Sequence, residues 1–192
     1  MESVSFARTY LEESIRVKSD LLSDSEQINI ICHVADHLVE VYKLGNKLLI
    51  AGNGGSAGDA QHIAAEFVSR FFFDRPGLPA IALTTDTSML TAIGNDYGFE
   101  NLFSRQVEAQ GKRGDLFIGI STSGNSENVI KAMRVAKSLG IYTVALCGKG
   151  GVLALEADSA IRVPSSSTPF IQECHISIGH IICAIVERRL FG

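Results

Sequence analysis

The chain has 192 residues, which suits one domain with a substantial core. Hydrophobic residues make up 46%, charged residues 20%, and the formal net charge is −4, which excludes a global pull toward nucleic acid or an anionic membrane surface. The first residues, MESVSFARTYLEES, lack the basic and apolar regions of a signal peptide, and no apolar run of bilayer length stands out, so the cytoplasm is the expected compartment.

Residues 2–45 read as helical. Ile28, Ile31, Val34, Ala35, Leu38, Val41 and Tyr42 recur at helical spacing, and a break near Ser23–Ser25 divides the segment in two, with Asp24 or Ser25 as the cap of the second helix. Five short apolar runs follow: Lys47–Ala51, Pro79–Leu83, Leu116–Ile120, Tyr142–Leu146 and Ala160–Val163. Each ends in a loop rich in Gly, Ser, Thr or Asn. Between them, residues 57–73, 100–110, 126–139 and 150–156 read as helices, and a last helix covers about 169–190. Strands alternating with helices predict a parallel sheet covered on both faces, with ligands at the carboxyl ends of the strands. The whole chain, 1–192, reads as a single α/β domain whose helices over 1–45 form an N-terminal extension suited to contacts between subunits.

The segment Ser121-Thr122-Ser123-Gly124-Asn125-Ser126 is the most informative. A buried strand ends, four hydroxyl residues follow within six positions, and an amphipathic helix begins. Free N–H groups at a helix start attract anions, and the hydroxyls add neutral donors, so a phosphate can be held without a lysine. The alternative is an ordinary N-cap. The loop Gly52-Asn53-Gly54-Gly55-Ser56 is a second strand-to-helix turn with neither dinucleotide nor Walker spacing.

His62 and Glu66 stand at i and i+4 on one helix face; Gln172 and His180 can share a broad face of the last helix, where Glu173 and His175 compete for the same roles. A carboxylate and an imidazole can move protons between adjacent sugar carbons, and the set can also hold a divalent metal. The cysteines Cys32, Cys147, Cys174 and Cys183 form no CxxC pair and read mostly as buried hydrophobes.

The stretches AGNGGSAGDAQHIAAEFVSRF, LTTDTSMLTAIGNDYGFENLFSRQVEA, GISTSGNSENVIKA and IQECHISIGH resemble, in order, the bacterial phosphoheptose isomerases of the sugar isomerase (SIS) domain family. The resemblance runs from about Lys47 to the C-terminus. It implies a flavodoxin-like three-layer sandwich with a five-stranded parallel sheet, a homotetramer, and isomerisation of sedoheptulose 7-phosphate, a phosphorylated seven-carbon sugar, to the aldoheptose phosphate that supplies lipopolysaccharide or capsule. It implies phosphate contacts from Ser121, Thr122, Ser123 and Ser126, and sugar contacts from Asn53, Gly54, Gly55, Ser56, Glu66 and Gln172. Thr85, Asp86 and Asp96 would border the site. Glu66 and His180 would be the proton-transfer pair, and His62, Glu66, Gln172 and His180 would bind one zinc ion. The pattern departs at Phe170, where relatives commonly carry Arg or Lys. A non-enzymatic relative that binds the replication initiator DnaA offers a competing reading, but it lacks the acid and the final histidine that this chain keeps.

Overall fold

The computed structural model describes residues 2–192. Two long helices come first, α1 (Glu2–Ser23) and α2 (Ser25–Lys43), and Asp24 caps the second by accepting from the Gln27 N–H at 3.1 Å. Then follow β1 (Leu48–Gly52), α3 (Gly55–Val68), β2 (Ala80–Ala82), α4 (Thr87–Tyr97), a 3-10 turn (Phe99–Asn101), α5 (Ser104–Gln110), β3 (Leu116–Ser121), α6 (Glu127–Ser138), β4 (Tyr142–Cys147), α7 (Val152–Glu156), β5 (Ser159–Arg162) and α8 (Thr168–Phe191).

All strands are parallel, in the order β2-β1-β3-β4-β5. Successive residues of each strand serve opposite faces. Leu48, Ile50, Leu116, Ile118, Val144 and Leu146 join the core under α1, α2, α3 and α8; Leu49, Ala51, Phe117 and Ala145 join the core under α5, α6 and α7. This is the expected flavodoxin-like three-layer arrangement. The strand order reverses between β1 and β3, so the loops after those two strands flank the crevice where open α/β sheets bind ligands.

Three elements differ from the sequence reading. Residues 87–97 form a helix that the hydroxyl-rich stretch Thr84–Ser88 had marked only as loop; Asp86 starts it by accepting from the Met89 N–H at 2.8 Å. Helix α3 stops at Val68 rather than 73, because the N–H groups of Phe71, Phe72 and Phe73 turn to the Glu187 carboxylate. Helix α8 is, by length and composition, apolar enough to cross a membrane, contrary to the reading that no run qualifies. It is a core helix here: Ile171, Cys174, Ile178, Ile182, Cys183 and Val186 are buried against α2, α3 and the sheet.

Candidate active site

Ser126 occupies the N-cap position of α6, with φ −70° and ψ 109°, yet its side chain makes no capping bond. Its Oγ lies 2.8 Å from Ser121 Oγ, which in turn lies 3.5 Å from Ser123 Oγ. The N–H groups of Glu127 and Asn128 have no partner among the described residues, although a capping hydroxyl would ordinarily take that of Asn128 or Val129. Ser126 is therefore not an ordinary cap: its hydroxyl and those of Ser121 and Ser123 gather beside the start of α6, an arrangement of neutral donors chemically able to accept an anion. The loop is held firmly. Asn125 Oδ1 accepts from the Val152 N–H at 3.1 Å, and Gly124, at φ +67°, packs against the Gly150 carbonyl so closely that a Cβ would collide with it. Thr122 and Ser123 also line a cavity of about 420 Å³ with Lys149, Ser165 and Ser166. Lys149 adds a cation to this edge that the hydroxyl pattern of the sequence does not reveal. A larger cavity of about 550 Å³ lies around His37, Asp115 and Tyr142, near the opposite ends of the strands, and none of these site residues lines it.

The glycine loop after β1 meets the serine loop through a reciprocal amide pair. Asn53 Nδ2 donates to Asn128 Oδ1 at 2.8 Å, and Asn128 Nδ2 donates to Asn53 Oδ1 at 2.9 Å. Asn128 is 2% exposed. Its position in the buried phase of α6, beside Val129 and Ala132, was the signal available in the sequence, because a buried amide needs a partner. Gly55 opens α3, and a Cβ there would run into the Gln172 amide, so this glycine lets α8 lay Gln172 against the start of α3. Gly54 is exposed, whereas Ser56 is 4% exposed and packs over Gly52.

Two turns along α3, three of the four expected metal-type groups, His62, Glu66 and His180, come together, while Gln172 stands at the start of that helix beside Gly55. His62 Nε2 lies 3.1 Å from Glu66 Oε1 and 3.1 Å from His180 Nε2, and one donor atom from each of the three falls within 4.8 Å of the others. His62 and Glu66 meet by helical spacing, while His180 arrives from α8, 118 residues on. The donors suit zinc, since four ligands at ordinary zinc bond lengths stand about 3.3 Å apart. Asp59, one turn before His62, was not foreseen. One of its carboxylate oxygens is buried without a partner, and burial pushes the carboxyl up to about 6, against the pull of His62.

The remaining candidates take other places. Thr85 Oγ1 bonds the Ala82 carbonyl at 3.3 Å, Asp86 caps α4, and Asp96 is exposed beside Asn95. The Thr84–Asp86 turn is tied to α3 through Gln61, whose amide donates to Thr84 Oγ1 at 3.3 Å. Glu173 does not compete for the site. It receives bonds from Tyr10, Ser14 and Lys18 of α1, and the Ser14 hydroxyl is foremost in holding its carboxyl below the usual value. His175 is fully buried, with neither ring nitrogen in a hydrogen bond, and desolvation lowers it to about 4. Phe170 packs on Tyr10, ring centres 4.8 Å apart, so an aromatic contact with α1 stands where a cation was expected. Cys147, Cys174 and Cys183 are buried and Cys32 is exposed.

Residues 9–148 match the SIS domain family. The chain is 61% identical to the phosphoheptose isomerase of Aneurinibacillus thermoaerophilus, over 97% of this chain and 94% of that protein. It is 59% identical to phosphoheptose isomerase 2 of Campylobacter jejuni, over 98% and 94%. Its fold superposes on the structure of a phosphoheptose isomerase from Francisella tularensis with a TM-score of 0.93 at 38% identity, covering 98% of this chain and all of that one. With its serine loop at the strand-order reversal and its His62/Glu66/His180 cluster between α3 and α8, the chain belongs to the SIS domain family and, within it, to the phosphoheptose isomerases.

Proposed function

We propose that the protein isomerises D-sedoheptulose 7-phosphate to D-glycero-D-manno-heptose 7-phosphate through an enediol(ate). The observation that carries this reading is the convergence of His62, Glu66 and His180 from α3 and α8, with donor atoms within 4.8 Å of one another, in a chain that also presents the serine loop at the carboxyl end of β3.

The phosphate end is anchored by Ser121, Thr122, Ser123 and Ser126 with the N–H groups that open α6. Fixing that end, with Asn53 to Ser56 and Gln172 along the chain of the sugar, orients the carbonyl end toward α3. Glu66 removes the proton from C1 of the ketose and returns it at C2. His180 shuttles the proton between the two oxygens, so that the carbonyl moves from C2 to C1. Zinc, held by His62, Glu66 and His180 with Gln172 as the fourth ligand should its side chain swing from Gly55, would supply Lewis-acid stabilisation of the negative charge that develops on the oxygens.

The assembly proposed is a homotetramer in the cytoplasm that feeds lipopolysaccharide or capsule synthesis. Two separate groups of exposed apolar residues support it: Val4, Leu11, Ile15 and Leu22 along one face of α1, and Val68, Phe72, Ile181 and Phe191 beside the metal-type cluster. A tetramer built from twofold contacts needs two such faces. The scaffold reading gains no support, because the named relatives are isomerases and Glu66 and His180 are both in place. The test is turnover of sedoheptulose 7-phosphate with and without Zn²⁺. Glu66→Gln and His180→Gln are each expected to abolish turnover while the fold persists. Near-full rate in either variant would remove that residue from its role.

A further inference from the structure

We infer that Arg75 and Glu187 act as a positioning clamp that fixes Glu66 and His180 relative to one another; the inference rests on the isomerase reading. Both side chains are 1% exposed, and Arg75 Nε donates to Glu187 Oε1 at 3.0 Å. The same carboxylate accepts from the N–H groups of Phe71 at 2.9 Å, Phe72 at 2.6 Å and Phe73 at 3.1 Å. The other end of the arginine reaches α3: Nη2 donates to the Glu66 carbonyl at 2.9 Å and Nη1 to the Phe67 carbonyl at 2.6 Å. Those carbonyls belong to the last turn of the helix, where no further helical N–H is available.

The clamp closes a circuit. Glu187 lies seven residues after His180, two turns along α8, so the helix that carries His180 also grips the 71–75 loop. That loop holds the backbone of Glu66 through Arg75 and lays the Phe71 ring beside His180, 5.3 Å between ring centres. Stability alone is a poor reason for this arrangement, because a buried ion pair is often no better than an apolar pair of the same volume. An apolar pair could not hold two carbonyls of α3 and three N–H groups of the loop at once.

Arg75→Lys separates positioning from bulk stability. Lysine keeps the charge beside Glu187 but cannot span the carboxylate and both carbonyls, because it lacks the planar fork. The expected result is a folded protein whose kcat falls about tenfold or more with KM within about twofold, and whose Zn²⁺ affinity, measured on metal-free protein by competition with a chromophoric chelator, weakens about tenfold. Unchanged kcat per folded molecule together with unchanged Zn²⁺ affinity would overturn the proposal. Should Arg75→Lys not fold, Phe71→Leu tests the His180 side of the circuit, with a severalfold drop in kcat and weaker Zn²⁺ binding expected; a variant unchanged in both overturns the proposal. Wild-type protein without turnover would sink the isomerase reading instead, and the clamp would then stand or fall on Zn²⁺ affinity alone.

Discussion

Ser126 stands where a helix expects its N-cap and directs its hydroxyl elsewhere. Removing an ordinary serine cap costs about 1 kcal/mol. Ser126→Ala is therefore expected to change the unfolding free energy in urea by less than about 0.5 kcal/mol, while KM for the sugar phosphate rises about tenfold. A normal capping loss with unchanged KM would return the residue to a structural role. Asp59 gives a pH signature. Its folded carboxyl titrates at about 6 against an ordinary 3.8, so the folded state holds the proton more tightly and stability declines as pH rises through that window. In metal-free protein, Asp59→Asn should match wild type in thermal midpoint near pH 4 and exceed it above pH 7. Equal midpoints throughout would show that Asp59 is not strained. What the sequence revealed at this scale was local. Hydroxyl density in 121–126 and the i, i+4 pair His62/Glu66 are neighbours along the chain, whereas Glu187 and Arg75 are 112 residues apart and only the packed fold joins them.

The elements themselves were legible where apolar runs were continuous, and α4 was missed for a physical reason. It contains no fully buried residue, and its start, Thr84–Ser88, carries the residues of turns as well as of caps. The run at 57–73 looked longer than α3 because Phe71 to Phe73 continue the apolar pattern, while their N–H groups belong to Glu187. Between elements, the Asn53–Asn128 pair joins the β1–α3 loop to α6. Asn128→Leu would leave the Asn53 amide without its partner and is expected to cost about 1–3 kcal/mol in denaturant unfolding. It should also weaken substrate binding, since the two loops would no longer be tied; a loss of stability with unaltered KM would confine the pair to structure.

At the scale of the molecule, the parallel sheet followed from alternating elements, and the glycine and serine loops come to flank the reversal of strand order. The 118-residue reach from His62 to His180 could be assigned from resemblance, but their 3.1 Å meeting depends on α8 packing beside α3. The exposed apolar residues of α1, with Phe6 71% and Leu22 74% exposed, are expected to be covered by further copies of the chain. Light scattering should return four times the chain mass, and a monomer at micromolar concentration would contradict that assembly. The central claim is the reaction. Incubating the purified protein with sedoheptulose 7-phosphate and following the sugar phosphates by NMR tests it most directly. The account predicts D-glycero-D-manno-heptose 7-phosphate from the wild type and none from Glu66→Gln. Absence of that product from the wild type, with and without Zn²⁺, would contradict it.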